Sequence, residues 1–481
     1  MKKFFKKWDS ISLIILAIDL LVTAFFSYSL IKLNMLPMLY VILAIALLVV
    51  MIIGSAFLIP KKRKKGKKIV GYILSALVII ITGIGSYYLT IAGDFISKSF
   101  KETAKDYYTM RYQVLVKQDS NYNDINDIKD NKIGYYSVLP NIEDAKKELE
   151  KKISFEGVPY EDIVENFNDL NRNRIAGVLV EKEVYDSLKE GLDTIKDSNY
   201  KELYSFELQF EQEITKKEAK GNGFNIYIGG PDFTGTNYDL NMLATVNKDT
   251  HKILLTSIPR DYYVPLAGKG MKDTLTYAGV WGINTSKGTV ENIFDMDINY
   301  YVKVDTKSLV GVVDAIGGIE FCSDMAFTTT HALVMGTYDD TVGPKLNVVK
   351  GCKKYNGIET LTIARERVAL PGGDRKRQEN CQKIIISIFN KIASAGSLVN
   401  LNNILDSISK LYTTNVPQEL VQDISKDVIG GNKWSFEQQA VTGSDSRGKV
   451  HLGTVEDYVM LPNIPSVDKA KLKIREVMNE S

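Results

Sequence analysis

The sequence has 481 residues, 45% of them hydrophobic, and its 60 Lys and Arg nearly balance 58 Asp and Glu, for a formal net charge of +2. That balance argues against a nucleic-acid binder working by bulk charge. Three cysteines are too few for a disulfide scaffold, and three scattered histidines (His251, His331, His451) without a CxxC motif point away from zinc and from a His-based triad.

The chain opens with three apolar stretches, Ile11–Ile31, Met35–Ile59 and Ile69–Ile91. Each is long enough, at ~1.5 Å per helical residue, to cross a hydrocarbon layer of ~30 Å. A secretory signal has one short apolar core and a cleavage site, so three successive full-length spans predict retention in the mature protein. Lys2, Lys3, Lys6 and Lys7 precede the first span, and Lys61–Lys68 is basic at every position except Gly66. Basic residues beside spans stay in the cytoplasm, so Lys32–Asn34 is expected as a tight outer turn and Gly93 onward as extracellular. Residues 1–93 thus read as a multi-pass cell-membrane anchor with a cytoplasmic N terminus, and the basic loop as a topology and anionic-lipid element. Asp19, inside the first span, marks either a functional or partner contact or a bundle-facing position.

Residues 94–105 read as a polar stalk. From 106 to 215, strand-like and helix-like segments alternate: Lys132–Tyr136, the charged helix Ile142–Ile153, Phe155–Val158, a helix over Glu161–Leu170, the apolar run Ile175–Val180, and Tyr185–Leu188. That βαβ rhythm predicts a small α/β accessory domain. Asp127–Tyr136 with Arg174–Glu181 resembles one lobe of an extracellular solute-binding protein; a spacer without a ligand is the other reading.

A second α/β domain is expected over 223–397. Phe224–Ile228 alternates as a strand and meets the breaker Gly229-Gly230-Pro231, which releases Asp232 into a loop. Leu240–Asn247 and Lys252–Ile258 flank the hairpin signal Lys248–His251. A helix around Thr289–Phe294, the strand Tyr300–Val304, the helix Thr306–Ile316, the turn Gly317-Gly318 and the strand Ile319–Phe321 follow. Cys322 and Cys352 bracket a polar excursion; an extracellular setting permits a loop-closing disulfide, with two free thiols the alternative. Gly357–Arg367 reads as a helix entering a loop, Pro371-Gly372-Gly373 as a break, and Gln378–Ala395 as an apolar helix. Residues 398–481 read as a C-terminal extension with helical Leu401–Leu411, strand-like Trp434–Val441, and a helix over Val467–Met478 that places Val467, Ala470, Ile474, Val477 and Met478 on one face.

Asp232, Asp239, Arg260, Asp261, Arg365, Arg367, Asp374 and Arg377 all fall at strand ends or loop junctions, where sites are built. Arg forks suit phosphate oxygens, and carboxylates hold magnesium against a phosphate-bearing substrate, so a pyrophosphate site with a divalent cation is one reading. Salt-bridged surface pairs are the other.

The same residues sit in recognisable motifs. Asn237-Tyr238-Asp239-Leu240-Asn241-Met242-Leu243-Ala244-Thr245-Val246-Asn247, Leu255-Thr256-Ser257-Ile258-Pro259-Arg260-Asp261 and Ile298-Asn299-Tyr300-Tyr301-Val302-Lys303-Val304 resemble the LytR-CpsA-Psr family. So do Val313-Asp314-Ala315-Ile316-Gly317-Gly318 and the stretch from Ala364-Arg365-Glu366-Arg367 through Asp374 and Arg377. Three spans before an accessory domain resemble its CpsA-like branch. The resemblance implies an extracellular phosphotransferase of Gram-positive bacteria that joins a capsule, teichoic-acid-like or other wall glycopolymer from an undecaprenyl-pyrophosphate carrier to peptidoglycan by a phosphodiester. A pyrophosphatase side activity is also implied.

Its fold would be an α/β/α core around a central mixed sheet, with a long apolar pocket for the polyprenyl tail. The apolar helix Ile384–Ile392 could line that tail or be ordinary core. By the same resemblance, Asp239, Arg260, Arg365 and Arg367 are catalytic. Arg260, Arg365, Arg367, Arg377 and Gln382 bind pyrophosphate, and Asp239, Asp232 and Asp374 hold Mg2+ or Mn2+. Implied partners are the polyprenyl-linked glycopolymer, peptidoglycan, membrane lipid and capsule or wall assembly proteins, with no nucleic acid. Departures are Asn237 in place of a frequent Arg, Cys381 in place of Gln, and the lack of a Lys near Thr274, where Lys272 is closest. The alternative function is a non-catalytic membrane regulator sensing polyprenyl-linked polymer; the small cytoplasmic surface weighs against it.

Overall fold

The computed structural model describes residues 8, 10–99, 105–139, 141–191, 195–214, 217–219, 221–231, 237–333, 344–393, 412–450 and 455–479. Helices α1 (Ser10–Leu33), α2 (Met38–Leu58) and α3 (Lys65–Ser99) coincide with the three apolar stretches and are long and apolar enough to cross a membrane. They turn large apolar side chains such as Leu21, Phe25 and Leu47 outward and small polar ones inward. Ser55 Oγ donates to the Gly71 carbonyl at 3.0 Å and lies 2.6 Å from Ser75 Oγ, the close polar packing that joins helices in lipid. Asp19 is fully buried in this bundle and faces its interior.

With 35 residues, α3 is about 50 Å long, well beyond the hydrocarbon thickness. The expected stalk is corrected accordingly: residues 94–99 finish this helix, and a strand begins at Lys105. The accessory domain follows as β1 (Lys105–Lys117), β2 (Lys132–Tyr136), α4 (Ile142–Glu150), β3 (Glu156–Tyr160), α5 (Ile163–Asn171), β4 (Gly177–Glu181), α6 (Lys182–Gly191) and β5 (Tyr200–Glu213). Its sheet runs β3-β2-β4-β1-β5, with β2 parallel to β3 and β4, and β1 antiparallel to β4 and β5. The βαβ centre is the part the sequence pattern predicted. The long outer ribbon of β1 and β5 went unread, although Phe206, Leu208 and Phe210 alternate with Glu207, Gln209 and Glu211.

This domain is welded to the next one. Tyr112 of β1 and Tyr277 are both fully buried in one continuous core, and the Asn284 side chain donates to the Glu213 carbonyl at 2.5 Å.

The second domain comprises β6 (Gly223–Pro231), β7 (Tyr238–Asn247), β8 (Lys252–Ser257), β9 (Tyr263–Pro265), β10 (Lys272–Thr274), α7 (Ile283–Phe294), β11 (Tyr300–Val304) and α8 (Thr306–Ala315). It continues with β12 (Ile319–Ser323), β13 (Phe327–Ala332), β14 (Lys345–Val348), β15 (Gly351–Tyr355), α9 (Gly357–Arg365) and α10 (Asp374–Ala393). Then come β16 (Tyr412–Thr414), α11 (Gln418–Ile429), β17 (Ser435–Ala440), β18 (Gly443–Val450), β19 (Val455–Pro462) and α12 (Ile464–Asn479).

The central sheet is mixed and runs β16-β11-β6-β7-β8-β17. Strand alternation divides its side chains: Met242, Ala244 and Val246 face α10 and α11, whereas Tyr227, Leu243 and Leu254 face the layer containing α7 and α12. The result is the expected α/β/α core.

Two expectations change. The segment 398–481 is no appendage: β16 and β17 form both edges of the central sheet, and α12 covers one face with Val467, Ala470, Ile474 and Val477 buried. Leu401–Leu411 lies outside the described residues. Nor does β6 stop at Gly229; it runs to Pro231, with a register shift between Gly230 and Pro231 that admits the proline. A Cβ on Gly229 would lie 2.7 Å from the Tyr238 ring, so the glycine serves close strand packing there rather than a break.

Cys322 and Cys352 form a disulfide directly across β12 and β15, closing the excursion that holds the β13–β14 hairpin. Finally, Gln422 Nε2 of α11 donates to the Leu33 carbonyl at 2.9 Å, so the second domain sits on the α1–α2 turn, at the end of the bundle opposite the basic loop.

Candidate active site

The predicted residues meet where β7 begins, β8 ends and α10 starts. Tyr227 Oη donates to Asn241 Oδ1 at 2.6 Å, and Asn241 Nδ2 donates to the Tyr238 carbonyl at 2.7 Å, which fixes the first turn of β7 and with it Asp239. Arg260 follows β8 after Pro259. Its Nη1 donates to Asp239 Oδ1 at 2.5 Å, and its Nε lies 3.7 Å from Asp261 Oδ1, buried and without a hydrogen-bond partner.

The break before α10 is built from Gly372 and Gly373, both with positive φ (91° and 55°). It delivers Asp374 to the first helical turn. There Asp374 Oδ1 accepts from Arg377 Nε at 2.8 Å and Oδ2 accepts from Gln378 Nε2 at 2.7 Å, pairs set by three- and four-residue spacing. Arg377 also donates through Nη2 to the Asp239 main-chain carbonyl at 3.0 Å, stitching α10 to β7.

The electrostatics follow from this knot. Burial opposes the Arg260 charge, but Asp239, Asp261 and Asp374 outweigh it and raise its pKa further. Burial likewise opposes the Arg377 charge and Asp374 prevails. Asp374 is pushed up by burial yet held below the ordinary carboxylate range by Arg377 and Arg260. Asp261 goes the other way: burial lifts it above that range despite Arg260.

Arg365 ends α9, and Arg367 lies exposed in the loop beyond it. The end of α9 is held near the knot by Cys381 Sγ, one turn after Arg377 on α10, which contacts the Ala364 carbonyl at 3.5 Å. Between the two arginines, Glu366 is fully buried. It accepts from Thr330 N at 2.5 Å, Thr330 Oγ1 at 3.0 Å and Ala369 N at 2.9 Å, which pins the loop to β13.

Two assignments do not fit this geometry. Gln382 is buried at 3% exposure and donates to the Leu255 and Gln439 carbonyls at 3.2 and 2.8 Å, tying β8 and β17 to α10 instead of reaching a ligand. Asp374 spends both oxygens on Arg377 and Gln378, so it orients the arginine. Asp232 lies outside the described residues. Asn237, in place of a frequent family Arg, buries Oδ1 without a partner beside Asp239. Lys272 is exposed on β10. Sequence reasoning named Asp261 among the junction charges without giving it a role, and passed over Gln378 and Glu366. The four-residue spacing of Asp374 and Gln378 was the available signal for one; the tertiary contact of Glu366 to β13 had none.

The family model named LytR_cpsA_psr matches residues 184–471. Its limits reach past 223–397 on both sides, to include most of α6, all of β17 and the first half of α12. The polyisoprenyl-teichoic acid–peptidoglycan teichoic acid transferase TagU of Bacillus mycoides is 29% identical over 264 residues, 53% of this chain and 78% of that protein. The protein of the same name from Enterococcus faecalis is 32% identical over 190 residues, 39% of this chain and 58% of that protein. The crystal structure of B. subtilis TagU is similar over 54% of this chain and 98% of its own, at 26% identity and a TM-score of 0.41. The motif residues gathered at the ends of β7 and β8 and the start of α10 lie inside the matched span, and the chain belongs to the LytR_cpsA_psr family.

Proposed function

We propose that this chain is an extracellular phosphotransferase that moves a glycopolymer from a polyprenyl-pyrophosphate carrier onto a peptidoglycan hydroxyl. The observation that carries the reading is Arg260: a half-buried guanidinium at the end of β8, held by Asp239 and flanked by Asp261. A phosphate oxygen is the ligand that such a donor accommodates. Arg260 binds the pyrophosphate, Arg365 and Arg367 close on it from the α9–α10 loop, and Arg377 positions Asp239 through its main chain. Transfer forms a bond from the acceptor oxygen to the sugar-side phosphorus, breaks the bridging bond so that polyprenyl phosphate leaves, and releases the acceptor's hydroxyl proton to solvent. The protein's share is alignment and neutralisation of charge on the phosphate oxygens.

A divalent cation fits this set. Asp239 bonds Arg260 through Oδ1, its side chain is 39% exposed, and among the described residues no three carboxylates converge at the site. Magnesium takes one or two protein carboxylates and completes its shell with water and phosphate, which is what Asp239 would offer it. When bound it would neutralise charge growing on the leaving phosphate.

The polyprenyl tail would have to enter the apolar layer between the sheet and α10, where Met242 and Leu255 are buried and Ile385 and Phe389 half-buried. The catalytic domain faces the outside, because the positively charged loop lies at the far end of the bundle. Mass spectrometry of lipids retained by the purified full-length protein tests the reading. Polyprenyl-pyrophosphate species should accompany the wild type and be depleted from Arg260→Ala; recovery of bulk phospholipid alone would refute it.

A further inference from the structure

We propose that the accessory domain is itself a binding module, with a cleft for one anionic sugar residue between the C-terminal end of β1 and the starts of β2 and β4. The cleft has a volume of about 260 Å³. Its cations come from three separate elements: Lys117 ends β1, Lys132 opens β2, and Arg174 immediately precedes the buried Ile175 that leads into β4. None of the residues lining it is acidic. The carboxylates that pair with these cations, Asp119 at 3.6 Å, Glu156 at 3.4 Å and Asp169 at 3.1 Å, approach from outside it. An anion entering the cleft therefore meets three positive groups, each already paired on its outer side with one carboxylate.

The rest of the cleft is suited to a sugar ring rather than a bare anion. Leu170 and Ile175, both buried, form an apolar floor, and the half-buried Tyr122 supplies an aromatic wall. Asn173, held in a left-handed conformation (φ 55°) and gripped by Lys117 Nζ at 3.2 Å, presents an amide at the rim. The Ser120 hydroxyl is shielded from solvent without a hydrogen-bond partner, while its carbonyl is held by Lys201 Nζ at 2.9 Å. A ring with hydroxyls on its edges and a charged substituent satisfies floor, amide and cations together. The size is right for one residue, since pockets for larger ligands start at ~300 Å³. That the sugar comes from a glycopolymer rests on the transferase reading; the charge and ring specificity do not.

The test uses full-length protein in phosphatidylcholine nanodiscs and isothermal titration with four probes: N-acetylglucosamine 1-phosphate, glucuronate, neutral N-acetylglucosamine and inorganic phosphate. At least one anionic sugar should bind saturably, and which of them binds tells phosphate from carboxylate chemistry. Neutral sugar and inorganic phosphate should each bind about tenfold more weakly. Lys117→Ala/Arg174→Ala, a change at one half-buried and one exposed position, should cost about tenfold in affinity, whereas Asp239→Ala should leave it unchanged. The proposal is overturned if the wild type binds neither anionic sugar, if the double variant binds as well as the wild type, if inorganic phosphate binds as tightly as the sugar phosphate, or if Asp239→Ala abolishes binding. Because the cleft and the knot are altered separately, loss of one function with the other retained shows which reading has failed.

Discussion

Arg260 and Asp261 are neighbours in sequence with opposite electrostatic fates, and the difference is testable. Asp261 is lifted by burial, which wins over the attraction of Arg260, so the folded protein keeps this proton to a higher pH than the unfolded chain does. Its contribution to stability is complete below the unfolded value of ~3.9 and is lost as pH rises through the raised folded value. Asp261→Asn should therefore match the wild type in melting temperature at acid pH and exceed it at neutral pH, as scanning fluorimetry will read. A lower neutral melting temperature would mean that pairing with Arg260 dominates. Asp374 has the opposite sign: its depressed value gives stability above the unfolded pKa that disappears as pH falls through the folded one. For the clamp, Arg365→Lys or Arg367→Lys should weaken lipid-pyrophosphate binding about tenfold, because the ammonium keeps the charge and loses the fork. Equal binding would remove those residues from the site. The charges that build this knot were legible in the sequence because each sits at an element end. Gln382 was misread because its spacing from Arg377 says nothing of the two strand carbonyls it meets.

The α9–α10 loop shows how an element places residues that have no fixed framework of their own. It is pinned by Glu366, whose carboxylate faces two N–H donors and a hydroxyl. Glu366→Gln turns one acceptor into a donor opposite donors, a buried mismatch worth about 1–3 kcal/mol. We expect faster amide hydrogen exchange at Thr330 and Ala369 and weaker pyrophosphate binding, with the central sheet unchanged; unaltered exchange there would assign the anchoring elsewhere. The disulfide is a second element-scale device. Its 30-residue separation corresponds to about 3–4 kcal/mol of chain-entropy stabilisation. Cys322→Ser should lower the melting temperature of the full chain, and no change would mean that the β12–β15 pairing suffices alone. Element types were mostly readable from period and punctuation, as for Tyr300–Val304. The elements missed include some with weak local signals, β9 and β10 at three residues each and the polar β13–β14 hairpin within the excursion, but also the long β1 and β5, whose alternation was there to read.

At the scale of the whole molecule, the contact of α11 with Leu33 joins catalytic domain and membrane anchor into one body and gives the topology a direct check. The native cysteines are silent to external reagents, two in the disulfide and Cys381 buried. A cysteine placed at Gly66 should label only after the cells are permeabilised, and one at the exposed Asn121 should label in intact cells; the reverse pattern would invert the orientation. Three spans and two α/β domains were visible in apolar runs and alternation. The shared core of those domains and the C-terminal strands at both edges of the central sheet were not, because long-range pairing leaves little trace in local pattern. The most direct test of the transferase reading is an assay of the full-length protein in nanodiscs with a polyprenyl-pyrophosphoryl saccharide and peptidoglycan, scored by mass spectrometry for a saccharide joined through a phosphodiester. The wild type should form this product with magnesium and lose it with chelator, and Asp239→Ala should fall by about 100-fold or more while remaining folded in the membrane. Undiminished product from Asp239→Ala, or from the wild type in excess chelator, would contradict the account.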